Sequence, residues 1–245
     1  LGRKGESKHF KRKPAPKMWP IHRKEAVWTV KPNPGPHPLS RSLPLGLILR
    51  DVLRFAKTAR EAKNIISQEK ITVDGKVKRD ERFLVGLMDI ISVLDTKNSY
   101  RVLPSRKGLF LHPIKSNEAH FKLCRIEDKT VVKGGRVQLD LHDGTSYLLS
   151  EEDVYQTLDV LKLSVPDREL LGHMKLTVGV SAIVTGGKNI GKYGKVSAIE
   201  KKPNQKRRTL IVTIEDKNGI QFQTILDFVF ILGDTELMIS LPEAN

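Results

Sequence analysis

Seven of the 13 prolines and 10 of the 43 Lys and Arg residues crowd into the first 40 of 245 positions. Pro14, Pro16 and Pro20, then Pro32, Pro34, Pro36 and Pro38, fix φ and remove backbone donors, so no helix can run through this stretch. Arg3, Lys4, Lys8, Lys11, Arg12, Lys13 and Lys17 follow one another without apolar periodicity. With 10 basic and 2 acidic residues, positions 1–40 hold +8 of the chain's formal +15. Such a segment buries too little apolar surface to offset the entropy of ordering it alone. It is expected to be a basic extended arm, mobile in the free protein, that folds against a polyanion. Trp19, Trp28 and His22 are then available for stacking or for packing on the next domain.

The remaining length suits two or three small domains rather than one core. A balance of 43 basic to 28 acidic residues points to nucleic acid, because each phosphate neutralised releases condensed counterions. No apolar run approaches the roughly 18 residues of a membrane span, and no signal-peptide pattern opens the chain. The one cysteine, Cys124, excludes an intramolecular disulfide and reads as a small hydrophobe in a strand. The seven histidines are scattered, without metal-ligand spacing, and Glu151-Glu152-Asp153 reads as a helix start or surface cluster. These features lead to the expectation of a soluble, cytoplasmic chain with no membrane contact, metal, cofactor, small-molecule substrate or catalytic residue.

From Leu45 the pattern turns periodic. Leu45, Ile48, Leu49, Val52, Leu53 and Ala56 recur at helical spacing, with Arg50, Asp51, Arg54 and Lys57 facing away. Thr58 and Glu61 stand in capping-box spacing before a second helix, whose expected buried stripe is Ala59, Ala62, Ile65 and Ile66. Ile71-Thr72-Val73, Asp74-Gly75 and Lys76-Val77 predict a hairpin, and Ile90, Ile91 and Val93 a closing strand. The run from Thr58 to Val93, beginning TAREAKNIISQEKITVDGKVKRD, resembles the small RNA-binding domain named after bacterial ribosomal protein S4. It departs at Glu69, where that pattern has glycine, and where Gly-Asp becomes Gly86-Leu87-Met88-Asp89. Neither departure touches the basic face. That face comprises Lys57, Arg60 and Lys63 on the helix pair with Lys76, Lys78, Arg79 and Arg82 on the hairpin and its exit.

Positions 186–192 fit the opening of a P-loop, but Tyr193 stands where the magnesium-binding Ser or Thr belongs, and no helical pattern follows. Val180, Ala182 and Val184 before, with Val196 and Ala198 after, predict a strand, a glycine-rich turn and a strand. Gly187, Gly191 and Gly194 would permit positive φ or close backbone approach to RNA. Lys188, Asn189, Gly191, Lys192, Tyr193, Gly194 and Lys195 form the candidate RNA-facing tip. This run resembles the KOW motif of ribosomal and transcription-elongation proteins. Strands at 210–214 and 220–224 are consistent with a small SH3-like barrel around it. Residues 97–170 read as short alternating strands of near-neutral charge.

The expected fold is mixed α and β and multidomain. Its parts are a basic arm (1–40), an S4-type domain (41–96), a central β-rich domain (97–170) and a KOW-containing barrel with tail (171–245). That order, with RKGESKHFKRKPAPKMWPIHRKE near the start and FVFILG and ISLP near the end, resembles the archaeal and eukaryotic small-subunit ribosomal protein S4e family, and the length suits an archaeal member. The resemblance implies a ribosome-bound protein that binds and shapes ribosomal RNA beside neighbouring small-subunit proteins. The alternatives are a non-ribosomal RNA-binding or transcription-elongation factor, suggested by the KOW run alone, or an RNA-modifying enzyme. The enzyme lacks room for a catalytic domain.

Overall fold

A computed structural model describes residues 9–96, 98–149, 154–200, 206–234 and 237–242. It divides into two compact units: residues 1–102 with 107–111, and residues 103–106 with 112–245.

In the first unit, the described part of the arm is folded. Phe10–Lys11 pairs antiparallel with Trp28–Thr29. Between these strands the chain winds about Arg23. Its Nη1 donates to the carbonyls of Arg12, Lys13 and Ala15 at 2.9–3.0 Å, and its Nη2 to that of Pro16 at 2.9 Å. Trp19 is 3% exposed, packs with Ala15 in the unit's core and donates Nε1–H to the Ser42 carbonyl at 2.9 Å. The expectation of a mobile, unfolded arm is therefore corrected for residues 9–40. Arginine side chains supply the donors that a proline-rich backbone cannot exchange within a ladder.

Ser42–Pro44 pairs with Leu84–Gly86, and the chain then enters helix. The single helix expected from Leu45 is a short α turn, Leu45–Leu47, followed by a π-helix, Ile48–Val52. Leu45, Leu47, Ile48 and Leu49 are all fully buried, a wider apolar face than one α-helical stripe carries. Arg54, at φ +56°, ends the segment. The second helix, Ala59–Ser67, begins with the complete capping box. Glu61 N–H donates to Thr58 Oγ1 at 3.2 Å, and the Glu61 carboxylate accepts from the backbone N–H of Lys57 and Thr58. Ala62 and Ile66 are buried and Ile65 half-buried, whereas Ala59 is exposed in the first turn.

Asp74 (φ +49°) and Gly75 (φ +69°) make the hairpin turn between Ile71–Val73 and Lys76–Val77. The sheet order is Lys76–Val77, Ile71–Val73, Ile90–Val93, Asn98–Ser105, Gly108–Ile114. Strands from the near-neutral segment after residue 97 thus extend this sheet, and the chain passes from one unit to the other within them.

Among its described residues, the second unit holds two five-stranded antiparallel sheets. One has the order Ser146–Leu148, Val137–Leu141, Phe121–Val131, Val160–Ser164, Leu170–Met174, with Cys124, Ile126, Leu139 and Leu161 fully buried in its core. The other has the order Gln221–Ile225, Ile211–Glu215, Tyr193–Glu200, Ser181–Val184, Val229–Gly233. This second sheet corrects the expectation of a barrel. Gln221–Ile225 and Val229–Gly233 are its two edges, so it is open. The 3₁₀ turn Leu226–Phe228 carries the chain from one edge to the other without pairing them.

Arg125, 4% exposed, ties the two sheets of this unit. Its Nη1 donates to the carbonyls of Asp227 at 2.7 Å and Val229 at 3.1 Å, while Nε donates to Glu127 Oε1 at 2.8 Å. Arg208 Nη1 reaches Glu127 Oε2 at 3.0 Å and Asp227 Oδ1 at 3.2 Å. Burial pushes Glu127 up, but Arg125 and then Arg208 outweigh it and hold the carboxyl below its usual range.

Candidate nucleic-acid interface

The helix and hairpin of the first unit present one group of cations. Lys57, Arg60 and Lys63 are exposed on or beside helix Ala59–Ser67, because Ala62 and Ile66 commit the opposite stripe to the core. Lys76, Arg79 and Arg82 are exposed on the hairpin and its exit. Lys78 is half-buried, with its ammonium 4.2 Å from the centre of the Phe83 ring. Arg79 forms an exposed ion pair with Glu69 at 2.6 Å.

The two departures from the S4 pattern have local explanations. Glu69, standing where glycine is usual, keeps the left-handed conformation (φ +63°) that the turn requires. Gly86-Leu87-Met88-Asp89 is a turn closed by Asp89, whose Oδ2 accepts Gly86 N–H at 2.8 Å and lies 2.9 Å from His37 Nε2. Met88 takes φ +65° there, and the His37 ring occupies the space that a β-carbon on Gly86 would need.

Lys57 also lines a cavity of about 880 Å³ with Arg12, His22, Arg50 and Arg54, with Glu25 and Asp51 at the same walls. Asp51 holds Arg50 through two bonds of 2.8–2.9 Å, which raise its pKa against the effect of burial. Arg50 and Arg54 were legible only as the polar side of a helix; Arg50 on the π-helical turn and Arg54 just beyond it both line this cavity.

The arm's cations divide. Lys11, Lys13 and Lys17 are exposed, whereas Arg12 is 7% exposed, with Nη1 donating to the His22 carbonyl at 2.6 Å and Nε to that of Trp28 at 3.2 Å. Arg3, Lys4 and Lys8 lie outside the described residues, as do Glu151, Glu152 and Asp153.

In the second unit the glycine-rich segment is strand, turn, strand. Gly187 (φ +77°) and Gly191 (φ +83°) need their left-handed conformations. Gly194 permits close approach of the adjacent strand: a β-carbon there would collide with the Glu215 carbonyl. Lys188, Lys192 and Lys195 are exposed, and Lys192 sits 5.0 Å from the Phe222 ring centre. Asn189 donates to the Gln223 carbonyl at 3.1 Å, and Tyr193 is buried with Lys217 5.5 Å from its ring centre. Both make contacts within the protein.

Among the described residues no group of three or more His, Cys, Asp or Glu could hold a metal ion, and no helix is long and apolar enough to cross a membrane.

Family models match three segments: the RS4NT (NUC023) domain over residues 4–40, the S4 domain over 48–91 and ribosomal family S4e over 96–170. The small ribosomal subunit protein eS4 of Staphylothermus marinus is 48% identical over 251 residues, 99% of each chain. The protein of the same name from Methanocaldococcus jannaschii is 45% identical over 98% of this chain and all of its own. This chain belongs to the ribosomal S4e family. A crystal structure of the 30S ribosomal protein S4e from Thermoplasma acidophilum superposes with a TM-score of 0.67 at 32% identity, over 80% of this chain and 96% of that one. The S4-domain match spans the capping box, the Asp74-Gly75 turn and all seven cations of the helix and hairpin, Lys57, Arg60, Lys63, Lys76, Lys78, Arg79 and Arg82.

Proposed function

We propose that this S4e family member is a structural, non-catalytic constituent of the small ribosomal subunit that binds and shapes ribosomal RNA beside neighbouring ribosomal proteins in the cytoplasm. The observation that carries the reading is similarity, at 45–48% identity over nearly the whole chain, to relatives named small ribosomal subunit protein eS4. The first RNA contact is the S4 domain: Lys57, Arg60 and Lys63 with Lys76, Lys78, Arg79 and Arg82. Exposed Lys11, Lys13 and Lys17 extend it, joined by Arg3, Lys4 and Lys8. A KOW-type tip of Lys188, Lys192 and Lys195 forms a second contact, held by Asn189, Gly191, Tyr193 and Gly194. Four functional segments, 1–40, 41–96, 97–170 and 171–245, remain our division of the chain's tasks. Zonal sedimentation of a cell extract tests the proposal. The protein is expected in the small-subunit fractions and released only by high salt; recovery solely at the top of the gradient at low salt would overturn it.

A further inference from the structure

The ribbon of Phe10–Lys11 and Trp28–Thr29 has two unlike faces. Phe10 is opposite Thr29, and its ring meets core residue Trp19 edge-on at 5.9 Å, so that face is turned inward. Lys11 is opposite Trp28, and side chains alternate along a strand, so His9, Lys11 and Trp28 share the other face. Trp28 is 53% exposed there; the His9 ring centre lies 5.1 Å from its own and the Lys11 ammonium 6.0 Å. Its backbone is fixed by the Arg12 guanidinium on the Trp28 carbonyl at 3.2 Å. An indole on an anchored backbone, more than half exposed, with an ammonium over its ring and an imidazole tilted against it, leaves open ring surface on which a flat base can settle. The cation can meet the phosphate or 2′-hydroxyl attached to that ring.

We infer that Trp28, flanked by His9 and Lys11, is a stacking site for a single unpaired RNA base. The inference rests on the RNA-binding reading above and adds the kind of RNA: a bulge, loop or single strand, not a regular duplex, whose bases are already stacked. The nearly buried Trp19 gives a built-in reference for fluorescence, because its environment is set by the core.

The test uses the full-length chain and two probes: a mixed-sequence single-stranded RNA of about 12 nucleotides, within the usual site sizes, and its duplex. The single strand should quench Trp28 emission, a signal absent from Trp28→Phe, and the duplex should bind without quenching. Trp28→Ala should weaken single-strand binding by about tenfold or more with the salt dependence unchanged, while Trp28→Phe stays within about threefold. Lys63→Ala should lower affinity yet keep the full quench at saturation. Unchanged Trp28 emission and unchanged Trp28→Ala affinity, with RNA still bound, would overturn the stacking site and leave the RNA-binding reading standing. Loss of small-subunit association in Trp28→Ala without loss of RNA affinity would assign the ring to a protein neighbour, against the inference. Failure of both RNAs to bind at all would remove both the stacking site and the RNA-binding reading.

Discussion

Lys11 and Arg12 are adjacent members of one basic run, and the fold turns them to opposite faces of the ribbon. Arg12 satisfies carbonyls inside it, while Lys11 keeps its ammonium in water. Charge type alone does not separate such neighbours; strand alternation does. The same contrast between charge and context holds for Asp143, 3% exposed and 3.2 Å from Lys122. Burial alone would raise its pKa, but Lys122, the Thr145 hydroxyl and His142 reverse the effect and hold it at about 2, below the unperturbed 3.8. A carboxyl depressed in the folded state stabilises the fold above its unfolded pKa and loses that contribution as pH falls towards the folded one. Asp143 should contribute about 2 kcal/mol at neutral pH, lost progressively between about pH 5 and pH 1. Urea titrations at a series of pH values should show a flatter acid limb in Asp143→Asn than in the native chain.

At the scale of elements, helix Ala59–Ser67 separates stability from binding. Thr58→Ala removes the cap and should cost about 1 kcal/mol in the first unit's melting. Lys63→Ala, on the exposed side, should leave that transition within about 0.5 kcal/mol while weakening RNA binding. Equal thermal losses in both variants would make Lys63 structural. The turn after this helix tests backbone conformation. Glu69→Gly relieves a left-handed residue and gives up an exposed ion pair, so the two effects should nearly cancel, within about 1 kcal/mol. Glu69→Val adds β-branching at positive φ and should be destabilising by about 1–2 kcal/mol, measured by denaturant midpoint.

At the scale of the molecule, the arm and the RNA contacts pull apart two effects of one segment. Because Trp19 and Ala15 belong to the first unit's core, removing residues 1–24 should lower that unit's thermal transition as well as RNA affinity. Trp19→Ala alone should cost about 3–5 kcal/mol, a loss that calorimetry can assign to the first unit. The hydrogen-bonded backbone amides of Arg12, Ala15 and Trp19 should exchange slowly before any RNA is added. For about 6 phosphate contacts, the logarithm of RNA affinity should fall with the logarithm of salt at a slope of roughly −4 to −5. A slope near zero would leave the cations without a role in binding.

Local chemistry made much of this molecule readable in advance. Thr58 and Glu61 cap their helix and Asp74-Gly75 turns its hairpin because both arrangements depend on residues at most three apart. The strands flanking the glycine-rich turn form where alternation predicted them, but not with its two faces: Ser181–Val184 is buried at every position, and a bulge after Val196 leaves Ala198 exposed. The basic side of helix Ala59–Ser67 follows from its 3.6-residue period. Other features depend on partners far along the chain. Trp19 became core through the Ser42 carbonyl 23 residues away, and Arg125 finds its carbonyls at Asp227 and Val229, more than 100 positions on. The open C-terminal sheet depends on which edges meet, and the π-helical turn at Ile48–Val52 on how wide an apolar face the core covers. Periodicity measures whether a side chain wants burial, and cannot say which distant carbonyl, ring or strand edge will receive it.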